Sequence, residues 1–153
     1  MIKEMNYDVS AEKKELLAKF TMHPNYYDYE VVILKIRTHM CAYVHIPNEH
    51  PLAKLFTEKD DNYIEEDLSA YISCHGGVTY SSSYFSYEDG DSEGYWFGWD
   101  YAHAGDYSPV IVPGFPDWAD ARPYEHIWTI EEVIAECGYV VRQLEELEEE
   151  DVE

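Results

Sequence analysis

A capped amphipathic helix near the C-terminus is the sequence feature that most constrains the fold. The segment Thr129-Ile130-Glu131-Glu132 matches a capping box, in which a Thr and the Glu three residues later satisfy each other's backbone donors. Apolar residues then recur at three- and four-residue spacing: Ile130, Val133, Ile134, Cys137, Val140, Val141, Leu144 and Leu147. This spacing predicts a helix over residues 129–147 with one apolar stripe, which needs an apolar surface to cover it.

Four segments rich in β-branched and aromatic residues can supply that surface. Residues 29–38 and 41–46 read as one hairpin. Residues 70–80 and 95–101 read as a second antiparallel pair, joined by an acidic, Gly-containing turn at residues 88–94. These strands predict an antiparallel sheet of about four strands, with the helix packed across one face.

The rest of the chain carries weaker signals. A short N-terminal helix is predicted to begin at the N-cap Ser10 and to end before Pro24, with an apolar side formed by Leu16, Leu17 and Phe20. Residues 47–67 read as a long loop with about one turn of helix, and residues 109–123 as an irregular Pro- and Trp-rich loop. The sequence therefore predicts a single acidic α+β domain over residues 1–153, with a charged C-terminal tail from about residue 145.

Charge is the strongest compositional feature. The chain carries a net charge of -22, whereas residues 1–40 contain six Lys or Arg and six Asp or Glu, so the whole excess lies beyond Met40. Such a field disfavours direct binding to nucleic acid or to anionic membranes and steers the protein toward basic surfaces. A basic protein that itself binds nucleic acid is the natural partner, because its phosphate site is an electropositive cleft. Alternatively, the acids keep a Tyr-rich protein in solution.

Two acidic stretches are the candidate partner-binding residues. They are Glu58, Asp60, Asp61, Glu65, Glu66 and Asp67 in the long loop, and Glu145, Glu146, Glu148 and Glu149 at the end of the helix. Anions at a helix C-terminus oppose the macrodipole and repel one another, so helix stability does not explain the second stretch. It is either a frayed, solubilising end or an anionic arm for a basic partner.

Two further segments carry residues that could do chemistry, at residues 74–81 and 96–106. If their strands pair, the following candidate ligand-binding residues meet at one end of the sheet: His75, Gly76, Gly77, Thr79, Asp100, His103 and Asp106. The imidazoles and carboxylates could bind a divalent metal or form an acid/base pair, and the Gly amides could approach an anion. The spacing matches no known metal or phosphate motif, so no cofactor and no metal is predicted. The candidates for a catalytic role are His75, Asp100, His103 and Asp106, and a structural hydrogen-bonding role is the alternative.

The cysteines, the apolar runs and the aromatic residues limit the possible functions and locations further. The three cysteines, Cys41, Cys74 and Cys137, show no C-x-x-C spacing and are expected to be buried, reduced thiols. Cys74 and His75 are adjacent and would point to opposite faces of a strand, which excludes a nucleophile–base pair. The longest apolar run has about four residues, too few for a membrane helix, and residues 1–6 lack the features of a secretory signal, which favours a cytoplasmic location. One aromatic set could stack a base, although core packing is commoner: Trp96, Phe97, Trp99, Tyr101 and Trp118.

Several stretches together form a recognisable pattern: Cys41 to Val44, Pro47 to Pro51, His75 to Ser81, Gly98 to Asp106, and the helix through Gln143-Leu144. The pattern resembles an uncharacterised family of small proteins encoded by tailed bacteriophages, with HGG(L/V)TYS and G(F/W)DxAHAGD motifs. This chain has Ala42, Trp99 and Tyr101 where the family has Gly, Phe and Cys, and the last difference argues against thiol chemistry at that position. The resemblance implies a phage origin and brings no established activity, although small accessory phage proteins commonly act against host defence.

Two functional hypotheses follow. The first is a non-catalytic acidic inhibitor that binds a basic, nucleic-acid-handling or defence protein in the host cytoplasm, with nucleic-acid mimicry as its sharpest form. The second is a site that binds or hydrolyses a nucleotide-like small molecule, built from the His and Asp residues of segments 74–81 and 96–106. A convergence of those side chains in a pocket would favour the second hypothesis.

Overall fold

The computed structural model describes residues 14–58, 64–87, 90–109, 114 and 120–152. Within these residues, five antiparallel strands form one sheet in the order β1-β2-β3-β5-β4. The strands are β1 (Lys14–Met22), β2 (Tyr29–Ile36), β3 (His39–Ile46), β4 (Tyr80–Tyr87) and β5 (Gly90–Asp100). The predicted α+β class with an antiparallel sheet is confirmed, with one strand more than expected.

The hairpin of β2 and β3 is confirmed. Ile36 pairs with His39 across a two-residue turn, and Arg37 in that turn has φ 59°, in the left-handed region. Tight hairpin turns need this conformation because it matches the twist of the flanking strands. The register places Val31 opposite Val44 at the far end of the hairpin.

The predicted N-terminal helix is wrong over the described residues, because residues 14–22 form β1. Ala18 and Phe20 lie opposite Ile33 and Val31 of β2. Ala18, Phe20 and Met22 pack against the core, so the apolar residues follow a period of two rather than 3.6. The open edge of β2 offers a ladder of hydrogen bonds, and this tertiary partner overrides a weak local preference for helix. Ser10, the predicted N-cap, lies outside the described residues.

The predicted strand over residues 70–80 is also wrong. Gly76 and Gly77 have φ values of 71° and 83°, and the Gly77 N–H donates to the Cys74 carbonyl, so these residues form a turn. A strand cannot continue through two residues in the left-handed region. The strand begins later, as β4, and pairs antiparallel with β5, so that Tyr80 lies opposite Gly98. Residues 88 and 89 of the predicted turn lie outside the described residues.

Two short helices occupy part of the predicted long loop, where the sequence predicts about one turn of helix. They are α1 (Ala53–Glu58) and α2 (Glu65–Ser69). Their apolar side chains Leu55 and Leu68 are buried in the main core. Asp60 and Asp61 lie outside the described residues, as does most of the predicted loop at residues 109–123.

The C-terminal helix α3 (Ile130–Glu146) begins with the predicted capping box, in which Thr129 and Glu132 bond each other's backbone donors. Its buried residues join one face of the sheet in a single core. On the helix these residues are Val133, Cys137, Val140, Val141 and Leu144, and on the sheet they include Val31, Ile33, Val44, Phe97 and Trp99. The predicted packing is confirmed, and Val140 is fully buried. Because α1 and α2 share this core, we call α1, α2, α3 and the residues after α3 the helical layer.

The residues after α3 turn back onto the domain. A 3₁₀ turn spans Glu149–Asp151, and Val152 is only 2% exposed within the main core. The Lys54 side chain donates a hydrogen bond to the Val152 carbonyl. A frayed tail is therefore wrong as far as Val152.

The predicted aromatic set packs inside the protein. Trp96, Phe97, Trp99 and Tyr101 are each at most 1% exposed, so core packing is the use that the fold makes of them. Trp118 lies outside the described residues. Cys41 and Cys137 are buried and Cys74 is half-buried, all as reduced thiols. Within the described part of the chain, no helix has the length and apolar character needed to cross a membrane.

Candidate functional site

Three separate segments converge beside the end of β5. His75 lies in the turn before β4, His103 and Asp106 lie in the loop after β5, and Trp128 lies just before α3. A short parallel bridge holds the last two segments together: the His126 N–H donates to the Gly105 carbonyl, and the Tyr107 N–H to the His126 carbonyl. Because β4 starts where β5 ends, the turn that carries His75 is delivered to the same end of the sheet. We call His75, Asp100, His103 and Asp106 the His–Asp cluster.

Asp106 is the centre of this cluster. Its side chain is 3% exposed and accepts hydrogen bonds from His75 Nε2 (2.8 Å to each oxygen), the His103 backbone N–H (2.9 Å) and Trp128 Nε1 (2.8 Å). Burial works to raise the pKa of this carboxyl, but the hydrogen bonds from His75, His103 and Trp128 outweigh it and hold the pKa below its usual range. Asp106 therefore stays ionised although it is buried.

His75 is fixed in orientation by its neighbours. Its ring stacks on Tyr101, with centroids 4.6 Å apart and planes within 8°, and meets the edge of Trp128 at 4.8 Å. Its backbone N–H donates to Glu136 of α3 at 2.9 Å. The imidazole can move little without disturbing these contacts, and its side chain remains 25% exposed.

His103 lies over a glycine and between two carboxylates. A Cβ on Gly76 would come within 2.3 Å of the His103 ring, so only glycine allows the ring to occupy this position. His103 Nδ1 lies 3.5 Å from Asp106 Oδ2, and Nε2 lies 3.5 Å from Asp100 Oδ1. Nδ1 is buried and has no hydrogen-bond partner among the residues that the structure describes. Both imidazole rings of the cluster thus lie beside Asp106, but only the His75 ring makes a hydrogen bond to it.

Asp100 forms the outer part of the cluster. It accepts hydrogen bonds from the Thr79 hydroxyl at 3.0 Å and from the Ala102 N–H at 3.1 Å. These contacts orient the carboxylate beside the His103 ring, with the Asp100 side chain 27% exposed.

The structure brings most of the predicted ligand-binding residues together. His75, Asp100, His103 and Asp106 form the cluster, with Thr79 bonded to Asp100 and Gly76 beneath the His103 ring. Gly77 is the exception, because a Cβ at this position would meet the Ser69 hydroxyl of α2, at 3.8 Å, and no atom of the cluster.

Sequence reasoning missed three residues of the site, Tyr101, Trp128 and Glu136. Trp128 lies just before the capping box of α3, and no spacing in the sequence relates this position to Asp106. Glu136 faces the half-buried side of α3, where its bond to the His75 N–H depends on how the turn docks. The sequence favours base stacking or core packing for Tyr101, whose ring in addition supports an imidazole.

Cavities lie elsewhere on the surface. Three, of about 370, 410 and 580 Å³, are lined by described residues, and none of the three has His75, His103 or Asp106 in its lining. Tyr101 and Trp128, which contact His75, also line the cavity of about 370 Å³. The donor atoms of the cluster therefore belong to none of these three cavities.

The predicted partner-binding acids that the structure describes, all except Asp60 and Asp61, fall in the helical layer. Glu58, Glu66, Glu146 and Glu149 are exposed, whereas Glu65 and Asp67 are half-buried. Glu148 is exposed but its N–H bonds the Asp151 side chain. Glu145 differs from the others, because it accepts hydrogen bonds from the N–H groups of Asn25 and Tyr26 and from the Tyr29 hydroxyl. Its carboxylate is engaged within the fold, which removes it from the set available to a partner.

Basic residues lie on the sheet as well as on the helical layer, where Lys54 lies on α1 and Arg142 on α3. Lys14 and Lys19 lie on β1, Lys35 lies on β2 and Arg37 lies in the turn after β2. Acidic residues outnumber basic ones on the helical layer, so much of the negative charge of the described residues is concentrated there.

Comparisons with known protein families, with curated proteins and with solved structures found no match for this chain.

Proposed function

We propose that this chain is a phage-encoded accessory protein, a non-catalytic acidic inhibitor that binds a basic nucleic-acid-handling or defence protein in the host cytoplasm. The observation that carries the proposal is the concentration of the negative charge on the helical layer. Its exposed acids among the described residues include Glu58, Glu66, Glu131, Glu146, Glu149, Glu150 and Asp151. The phage assignment rests on the sequence motifs alone.

The charge exceeds what a small domain needs for solubility. A net charge of magnitude about 2 to 8 serves that purpose in a small domain, whereas this chain carries -22. The surplus raises self-repulsion in the compact state, which costs stability. A basic partner that neutralises the surplus would recover that cost, and its phosphate-binding cleft would take carboxylates in place of phosphates.

The second hypothesis, a nucleotide-like ligand at the His–Asp cluster, is favoured by the convergence of its side chains, but not by the three cavities that described residues line. A nucleotide needs a cavity that covers most of its surface. The three cavities described above do not include the imidazoles or the buried carboxylate.

Affinity capture tests the proposal. The full chain is immobilised and exposed to host lysate at about 50 mM salt, and bound protein is eluted by raising the salt to about 200 mM. We expect a basic, nucleic-acid-binding protein that elutes over this range and that added duplex DNA displaces, because both ligands occupy one cleft. A captured protein that resists both the salt and the DNA would contradict mimicry.

Charge variants with a matched control locate the contact. Glu66→Lys with Glu146→Lys reverses two exposed charges of the helical layer, and Glu15→Lys with Glu30→Lys makes the same change in net charge on β1 and β2. We expect the first pair to weaken capture strongly and the second pair to weaken it little. Equal weakening by both pairs would mean that net charge alone attracts the partner.

A further inference from the structure

The His–Asp cluster has the chemistry of a metal site. Among the residues that the structure describes, His75, His103 and Asp106 form a group whose donor atoms all lie within 4.8 Å of one another. We propose that these three residues bind a divalent transition metal ion of the zinc class, with Asp100 as the outer carboxylate that orients His103. Two imidazole nitrogens and one carboxylate oxygen suit zinc, cobalt or nickel better than the oxygen-seeking magnesium or calcium.

The distances are close to those of a bound ion. Zinc lies about 2.0 to 2.2 Å from nitrogen and oxygen ligands, so the donor atoms around a tetrahedral ion lie about 3.3 Å apart. His75 Nε2 is 2.8 Å and His103 Nδ1 is 3.5 Å from Asp106 oxygens. The donor atoms of His75 and His103 lie within 4.8 Å of each other, so His103 must move toward His75 and Asp106 for all three atoms to reach bonding distance. Three protein ligands leave a fourth position for water, on the side where His75 and His103 are partly exposed.

His103 Nδ1 is the observation that separates a metal site from a hydrogen-bonded structural cluster. A buried imidazole nitrogen normally has a partner, because burying a polar atom without one is unfavourable. Within the described part of the chain His103 Nδ1 is buried and makes no hydrogen bond, yet it lies 3.5 Å from the carboxylate that His75 also contacts. A metal ion between the three groups would provide the missing partner.

The surroundings resemble the outer shell of known metal sites. A metal-bound histidine usually donates its second ring N–H to a carboxylate, which fixes the tautomer and the ring orientation. Asp100 lies 3.5 Å from His103 Nε2 and is itself held by Thr79 and by the Ala102 N–H. Asp106 is held in the same way by Trp128 Nε1 and by the His103 N–H. When a metal ion replaces the hydrogen bond between His75 and Asp106, both carboxylates keep these partners.

The structural alternative makes a distinct prediction. In that case Asp106 only ties three segments together through His75, Trp128 and the His103 N–H, and the His103 ring contributes by packing on Gly76. Metal would then bind no more tightly than it does to other surface His and carboxylate groups of this acidic chain. His126, which lies 2.7 Å from Glu132 and has no third ligand among the described residues, is the matched control for such sites.

Metal titration of the full chain tests the proposal. The protein is treated with a chelator, dialysed, and titrated with ZnCl₂ by calorimetry and with CoCl₂ by visible absorption. We expect one ion per chain and the intense visible bands of four-coordinate cobalt. His103→Gln is the decisive variant, because it removes a ligand whose Nδ1 makes no hydrogen bond in the fold. Its loss of affinity should exceed the roughly 10- to 100-fold that follows loss of an outer-shell partner, which is the loss expected for Asp100→Asn. His126→Gln should keep full affinity.

Stability gives a second readout, since an ion that binds only the folded state raises the melting temperature. Zinc should raise the melting temperature of the wild type and of His126→Gln, and not that of His103→Gln. The proposal is overturned if no one-to-one binding is found, if His103→Gln retains it, or if His126→Gln loses it equally. Should His103→Gln fail to fold, the cobalt spectrum of the wild type decides: a spectrum of the six-coordinate aqueous ion would overturn the proposal.

Discussion

Glu145 is predicted to be a structural residue in spite of its unfavourable place in the last turn of α3. Its Oε1 accepts hydrogen bonds from the Asn25 N–H (3.0 Å) and the Tyr26 N–H (2.8 Å), and its Oε2 accepts one from the Tyr29 hydroxyl (2.9 Å). Tyr29 is 0% exposed, and burial, with the nearby Glu145, raises the pKa of its hydroxyl. When Glu145 is removed, the buried hydroxyl therefore cannot replace the lost hydrogen bond with one to water.

Glu145→Ala should lower the free energy of unfolding by about 2 kcal/mol. A hydrogen bond to a charged group contributes about 1.5 to 3 kcal/mol, and the buried Tyr29 bond falls in this range. The two amide donors are exposed and regain water, so they add little. Helix electrostatics alone gives the opposite sign, because an anion in the last turn costs about 0.3 to 1 kcal/mol and its removal would stabilise α3.

Glu146→Ala is the matched control. Glu146 lies in the same turn of α3 and is exposed, so its removal changes the macrodipole interaction equally. Urea unfolding followed by far-ultraviolet circular dichroism should rank Glu145→Ala clearly below Glu146→Ala. In the Tyr29→Phe background, Glu145→Ala should cost much less. Equal stability of the two alanine variants would refute the structural role of Glu145.

Three further substitutions test the packing, the buried histidine and the turn. Val140→Asp buries an unpaired carboxylate under α3 and should cost several kcal/mol, enough to unfold a domain of marginal stability, whereas Glu149→Ala on the exposed 3₁₀ turn should change stability by less than about 0.5 kcal/mol in thermal melts. Burial lowers the pKa of His50 from 6.5, against smaller opposing effects of a carbonyl and a carboxylate. The unfolded chain therefore binds more protons below that pH than the folded protein does. Stability falls as the pH drops through about 6.5. His50→Gln should lose less stability than the wild type between pH 7 and pH 5 in urea titrations, and equal losses would contradict this linkage. Gly76→Ala should melt at a lower temperature than Gly105→Ala, because both glycines have positive φ but only at the first would a Cβ strike the imidazole ring, at 2.3 Å; identical melting temperatures would show that the ring yields freely.

Elements whose signal is local could be predicted from the sequence. The capping box and the apolar stripe of α3 depend only on residues three and four apart, and β2 and β3 are joined by a two-residue turn. The first strand could not be predicted in this way. Its residues Leu16, Ala18 and Phe20 fit a strand only when β2 is present to pair with them, and Leu17 and Lys19 between them are compatible with a helix as well.

The candidate site could be predicted for a reason that is only partly correct. The sequence places His75 on a strand that pairs with β5, whereas positive φ angles at Gly76 and Gly77 make this segment a turn. The turn still brings His75 to Asp106. The strand β4 begins shortly after the turn, and its first residue, Tyr80, pairs with Gly98 near the end of β5. Trp128 and Glu136 join the site through docking of a distant segment, which no spacing in the sequence encodes. Composition alone places Glu145 and Val152 in a charged tail, and their contacts depend on the finished fold.

Salt dependence of association is the most direct test of the central claim that the acidic helical layer binds a basic partner. Rate constants for the captured partner are measured by stopped flow from about 50 to 200 mM salt, a range over which screening of surface charges strengthens. We predict a steep fall of the association rate for the wild type and for Glu15→Lys with Glu30→Lys, since electrostatic steering acts on this rate. Glu66→Lys with Glu146→Lys should associate more slowly at low salt and show a shallower fall. An association rate that is independent of salt for the wild type, or the same slope for both pairs, would contradict the claim.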